Sequence, residues 1–208
     1  MFTQPKLPES VVRSILTKNG VDQTRLAVLA IRGYRLDSLG KPGVNDRRIY
    51  DDAHFIVWPD GFAAFNGNTD PNGYRKGFGG GSRKGMAVLK PGIHLYGTGK
   101  HKGRLAFRGC EKFTVVRDGD PPYEDLGFHA INWHSGGVRS TSSLGCQTNR
   151  PADFNTLRPL IYSLLEKYKN PFRNNDWGQR VRSFPYVLLE ETQRRAGFPV
   201  VSRRYLNE

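Results

Sequence analysis

The chain has 208 residues, and its 32 Lys and Arg outnumber 19 Asp and Glu to give a formal net charge of +13. That length fits one domain with at most a small extra lobe, and 12 Phe, 9 Tyr and 3 Trp are enough for a real core, which excludes a disordered chain. The charge implies attraction to polyanions such as nucleic acid, anionic lipid or an anionic cell envelope. Its basic residues are scattered, with Arg47-Arg48, Arg194-Arg195 and Arg203-Arg204 the tightest pairs, and no nucleic-acid motif appears, so we expect a solvated basic surface and no specific nucleic-acid partner.

In chain order, Val11, Val12, Ile15 and Leu16 suit one face of a short helix over 9–18, with Asn19-Gly20 as its stop. Residues 26–31 are apolar and suit either helix or strand, with the link to Arg32-Gly33-Tyr34 favouring a buried strand, and 35–47 read as a loop. Residues 53–58 and 62–65 read as a hairpin about Pro59-Asp60-Gly61. Residues 66–84 read as loop. Their Gly79-Gly80-Gly81 run lacks the Gly-Lys-Ser/Thr ending of a phosphate loop.

Strands are expected over 86–89, 93–96, 104–107 and 113–117, with turns at 91–92, 97–103 and near Gly109. A further strand over 128–133 delivers His134. Beyond Cys146 the spacing of Phe154, Leu157, Ile161, Leu164, Leu165 and Tyr168 is helical. Pro159 argues for a turn over 151–156 and a helix over 158–168. Residues 183–190 read as a strand that Pro185 places at a sheet edge, and the tail from Arg194 as basic and loosely held. With 24 Gly and 13 Pro, the fold class is mostly β with a few helices (α+β). We expect residues 1–208 to form one domain, with 1–49 as an N-terminal extension packed on it, acting as a monomer.

The two cysteines, Cys110 and Cys146, are too few for a disulfide framework, so synthesis in a reducing compartment is expected. The first eight residues lack the apolar run of a signal peptide, and no stretch reaches transmembrane length.

The chemistry concentrates in residues 131–148. Cys146 follows Gly145 among Ser, Gly, Gln and Thr, flanks that suit an exposed, reactive thiol better than a core residue. His134 precedes the turn Ser135-Gly136-Gly137 on the same segment and is the candidate base. Backbone N–H groups around Leu144, Gly145 and Cys146 are candidate oxyanion donors. Ser143 and Thr141 are candidates to orient the histidine or bind substrate amides. Asn132, Arg139, Arg117, His101, Gly136, Gly137 and Gln147 are candidate substrate-binding positions. No His-Glu-x-x-His or paired Cys-x-x-Cys occurs, so no metal and no cofactor is expected.

These residues resemble the catalytic signature of the L,D-transpeptidase (YkuD-type) family, an upstream His-Gly element followed by Ser/Thr-His-Gly-Cys. His134 matches the upstream His, and Ser143-Leu144-Gly145-Cys146 the second block. The wider segment, with Ser-Leu-Gly-Cys-Gln most specific, is similar to a phage-type branch over roughly residues 50–154. Ser135 stands in place of the family's Gly, Leu144 in place of its second His, and Gln147-Thr148 in place of a basic residue. The His134-to-Cys146 spacing is also shorter.

The resemblance implies a β-sandwich or barrel and a cysteine acyl-enzyme acting on peptidoglycan stem peptides. The expected activity is hydrolysis after the L-centre of the position-three diamino acid, as in a phage endolysin made in the host cytoplasm and released to the wall. The alternatives are an L,D-transpeptidase forming 3–3 cross-links and a basic structural or nucleic-acid-binding virion protein.

Overall fold

The computed structural model describes residues 4–79 and 83–197. Its frame is a sheet of β1 (Ala27–Arg32), β2 (Asp52–Trp58), β3 (Gly61–Gly67), β5 (Gly92–His101), β6 (Arg104–Gly109), β9 (Trp133–Ser135), β10 (Gln147–Asn149), β11 (Phe172–Asn174) and β12 (Arg180–Glu190). The order is β10-β9-β6-β5-β12-β1-β2-β3, with β11 hairpinned onto β12. Just past β3, Asn68 exchanges two 2.7 Å backbone hydrogen bonds with Thr148 of β10. The two ends of the sheet are therefore stitched together into a nearly closed barrel, leaving little edge exposed. A second sheet, β4 (Ala87–Leu89), β7 (Phe113–Arg117) and β8 (Tyr123–Gly127), packs on it in the order β4-β7-β8. The mostly β expectation is met.

The continuous apolar run of β1 follows from burial on both faces. Val28 and Ala30 join Ile56, Tyr96, Phe107, Trp133, Phe184, Tyr186 and Leu188 in the main core. Ala27, Leu29 and Ile31 face the other way, under Val12 and Leu16 of α1 (Glu9–Lys18). Within the segment read as an extension, α1 packs on the sheet and β1 is one of its strands, between β12 and β2.

Four sequence expectations are corrected. β5 runs through His101, past the turn expected over 97–103, so the reversal is confined to Lys102 and Gly103, both at positive φ. The strand expected over 128–133 begins only at Trp133, and β8 was not foreseen. α2 is one helix, Pro151–Lys167. Pro151 sits in its first turn, where a missing N–H costs nothing, and Pro159 lies on the exposed side, where water can satisfy the carbonyl it leaves.

Pro185 lies in an interior strand, between β5 and β1, and not at an edge. The β1–β12 ladder starts only at Val28–Tyr186. Below it the Asn170 side chain fills the gap, accepting from Leu26 N and donating to Leu26 O and Ser183 O at 3.1–3.2 Å. The missing N–H of proline thus falls where a side-chain amide replaces the ladder. Gly80 and Gly81 of the glycine run, and most of the basic tail, lie outside the described residues. α3 (Glu191–Arg195) starts that tail.

A polar chain crosses the barrel interior behind β10. Asn149 Oδ1 accepts from Trp133 Nε1 at 2.6 Å and from His54 Nδ1 at 3.1 Å, and Asn149 Nδ2 donates to Asn66 O at 2.7 Å. The Tyr186 hydroxyl lies 3.0 Å from His54 Nε2 and 3.2 Å from Gln147 Oε1, and donates to one of them. Burial holds the His54 imidazole neutral, its pKa down to about 3. Its ring rests on Gly67, where a Cβ would stand 2.3 Å from Nδ1, so that position admits no side chain.

His54→Ala should therefore lower stability by roughly 3–5 kcal/mol, from the cavity and the groups left unpaired. A chemical-denaturation midpoint that stays at the wild-type value would refute the bracing role.

Candidate active site

Register places the chemistry on the outer face of the barrel. Phe107, Trp133 and Gln147 are buried in its interior, so their neighbours Arg108, Asn132 and Cys146 face outward. Extending the register gives one row across four strands, Gly97–Arg108–Asn132–Cys146. His134, two residues past Asn132, is the diagonal neighbour of Cys146.

Cys146 Sγ accepts from Asn132 N at 3.4 Å and lies 3.5 Å from Ala130 O, and it makes no hydrogen bond to His134 in this resting arrangement. Cys146 is buried, and not exposed as its polar flanks suggest, because Asn132 and Ala130 close over the sulfur; burial raises the thiol pKa, against the pull of the Asn132 N–H and the positive fields of Lys102 and Arg108. The resting sulfur is thus a protonated thiol that needs a base.

The candidate base is His134. Its Nδ1 donates to Ser135 O at 2.8 Å, which fixes the tautomer and leaves Nε2 with its lone pair. Burial, with Lys102 nearby, lowers its pKa below the ordinary 6.5, so the ring is neutral at neutral pH. The histidine is oriented by the backbone of its own neighbour, and not by Ser143 or Thr141.

His101, at the end of β5, stacks on His134 with ring centroids 4.3 Å apart and planes within 3°. Asn132 Nδ2 donates to His101 Nδ1 at 2.9 Å, so the His101 proton sits on Nε2. Burial and the charges of His134, Lys102 and Arg108 push its pKa down to about 4. The pair offers one nitrogen lone pair, on His134 Nε2, and one N–H, on His101 Nε2.

The loop between the two catalytic candidates is held from below. Ser143 Oγ accepts from Gly145 N at 3.0 Å and donates to Cys146 O at 2.6 Å. Thr141 Oγ1 bonds Asn72 Oδ1, and Asn72 N donates to Ser143 O. Gly145 has φ +147, and a Cβ there would meet Ala87 O at 2.5 Å. The Gly145 N–H is therefore occupied, whereas the Cys146 N–H donates to none of the described residues and is the better-placed oxyanion donor. The Leu144 side chain is 70% exposed beside it.

The remaining candidates fall elsewhere. Gly136 N donates to Asn149 O, and Gly137 O accepts from the Tyr50 hydroxyl at 2.7 Å, so both glycines serve the loop. Gln147 points into the barrel interior. Arg117 is tied to Asp125, Gly85 O and His129 on the second sheet. Arg139 is exposed on the loop. Cys110 is half-buried with its pKa pushed up to about 12, so it is an inert thiol. His94 donates to Lys90 O and packs edge-on against Phe113.

No group of three or more His, Cys, Asp or Glu among the described residues is arranged to hold a metal, and no described helix is long and apolar enough to cross a membrane. No protein-family model matches the chain, and comparisons with curated proteins and with solved structures likewise return no match.

Proposed function

We propose that the chain is a cysteine peptidoglycan hydrolase that cleaves stem peptides after the L-centre of the position-three diamino acid, as an endolysin does. The observation that carries the acyl-transfer chemistry is the single outward face holding Cys146, a His134 whose Nε2 is free and basic, and the unengaged Cys146 N–H. The stem-peptide substrate rests on the resemblance of the Ser143–Cys146 block and His134 to the L,D-transpeptidase signature.

The reaction runs in two halves. As Sγ bonds to the carbonyl carbon, His134 Nε2 takes the thiol proton, and the carbonyl oxygen becomes an oxyanion at the Cys146 N–H. The C–N bond then breaks, and the departing amine of the position-four residue takes the proton from His134. Water attacks the thioester as His134 removes its proton. The S–C bond breaks, the sulfur regains a proton, and the shortened stem leaves with a new carboxylate. Hydrolysis requires no second binding site, since water is the acceptor. Where the position-four residue is cross-linked, the same cut opens the cross-link.

The net charge of +13 supports attraction to an anionic envelope. Exposed charges are screened beyond roughly 8 Å at physiological salt. Binding to whole sacculi should weaken steadily as salt rises, while turnover of a small soluble muropeptide should change little. Sequence-selective DNA binding that persists at high salt, with no muropeptide turnover, would favour a nucleic-acid-binding protein instead.

The reading is tested by digesting purified sacculi and identifying the muropeptides by mass spectrometry. Shortened stems and lost cross-links are expected. New 3–3 cross-links would make the protein a transpeptidase, and an unchanged profile would remove the enzyme reading.

A further inference from the structure

We propose that Trp177 is a platform for a sugar ring of the glycan strand, placed so that the attached stem peptide reaches Cys146. The proposal rests on the peptidoglycan reading above.

Trp177 sits at the tip of the β11–β12 hairpin and is 55% exposed, yet it is rigidly held. Its backbone N–H and that of Gln179 both donate to Asn175 Oδ1, at 3.0 and 3.1 Å. Asn175 Nδ2 donates to Thr98 O of β5, and Asp176 N donates to Gly109 O of β6. One face of the indole lies on the Arg108 guanidinium, 3.6 Å from the ring centroid. That guanidinium is clamped by Asp176, with Nη2 2.7 Å from Oδ2, and by Lys100 O at 2.9 Å. The arginine and aspartate side chains are only 3% and 7% exposed. The result is a flat aromatic ring on a neutralised base, with its other face open to solvent.

The chemistry of that face selects its occupant. A guanidinium already draws on the ring's electron density from below, so a second cation above gains little. A pyranose brings an apolar C–H face that buries area on indole without needing a charge, and its hydroxyls stay in water.

The distance fits as well. Arg108 and Cys146 lie in one row, two strands apart, and the Arg108 side chain extends over Gly99 of β5. Trp177 is therefore two to three strand spacings from Cys146, roughly 10–14 Å. An extended peptide covers about 3.3–3.6 Å per residue, so three residues span roughly 10 Å, and the link to the sugar adds a little more. A sugar on Trp177 thus leaves the carbonyl of the third stem residue within reach of Cys146.

The test compares a disaccharide-tetrapeptide with the same tetrapeptide lacking sugar, each turned over by wild type, Trp177→Ala and Trp177→Tyr. For wild type, KM should be roughly tenfold lower with the sugar present. Trp177→Ala should erase that difference by raising KM for the sugar-bearing substrate alone, and Trp177→Tyr should restore part of it. Equal wild-type KM values, or a Trp177→Ala loss that falls equally on both substrates, would overturn the platform and leave the hydrolase reading standing. Trp177-dependent binding of a single-stranded oligonucleotide, with no sugar effect, would overturn it too. Absence of turnover of either substrate by wild type would remove the hydrolase reading itself.

Discussion

Cys146→Ala should abolish release of the position-four residue from a soluble muropeptide, by a factor on the order of 10⁴ or more, because the other cysteine of the sequence, Cys110, lies beside Gly97 at the far end of the row and cannot take its place. The substitution removes one sulfur from a buried position, so the thermal transition should move by only a few degrees. Cys110→Ala should keep wild-type turnover, since that thiol is held protonated by burial and by the nearby Asp176 and Glu111, and lies beside Gly97 on the far side of Arg108. Equal loss in the two variants would mean that the cysteine effect is structural.

His134→Ala should lower turnover by roughly 10²–10⁴, the usual worth of a positioned general base. It should also slow alkylation of Cys146 near neutral pH, because the buried thiol then has no nearby acceptor for its proton. The pH dependence follows from the direction of the His134 shift. Its pKa is lowered, so the ring remains an effective base below the ordinary imidazole value of 6.5 and activity declines only as pH falls through the lower value. An acid limb centred at or above 6.5 would contradict the burial argument. Alkylation rates that are equal in wild type and His134→Ala would remove His134 from its role.

Much of the frame was legible from local pattern. The apolar run 26–31, which suits helix or strand, is the buried strand that its link to Arg32-Gly33-Tyr34 favours, and the hairpin around Pro59-Asp60-Gly61 carries its own turn chemistry. The failures share a cause. Pro159 reads as a helix break and Pro185 as the mark of a sheet edge because proline removes an N–H. Solvent at one and the Asn170 amide at the other supply what is missing, and a local window contains neither. β8 carries Glu124 and Asp125, whose ion pairs to Lys90 and Lys84 come from more than thirty residues away, with Arg117 of the adjacent β7 also on Asp125.

At the site, Cys146 and His134 were legible because they share one Gly-rich segment. The backbone carbonyl of Ser135 as orienter was not, since any residue has a carbonyl. His101 was visible only as a histidine on an apparent turn, and its stacking on His134 depends on β5 continuing to that residue. Trp177 carries no signal, because its place over Arg108 is fixed by the β11–β12 hairpin and the β12–β5 and β5–β6 registers together.

The most direct test is to mix the protein with a tetrapeptide muropeptide, quench in acid during turnover, and locate any adduct by intact-mass and peptide mass spectrometry. The account predicts an increase equal to the stem acyl group ending at position three, on the peptide that contains Cys146 and absent from Cys146→Ala. Continued product formation with Cys146 unmodified throughout, or with the acyl group on another residue, would contradict it.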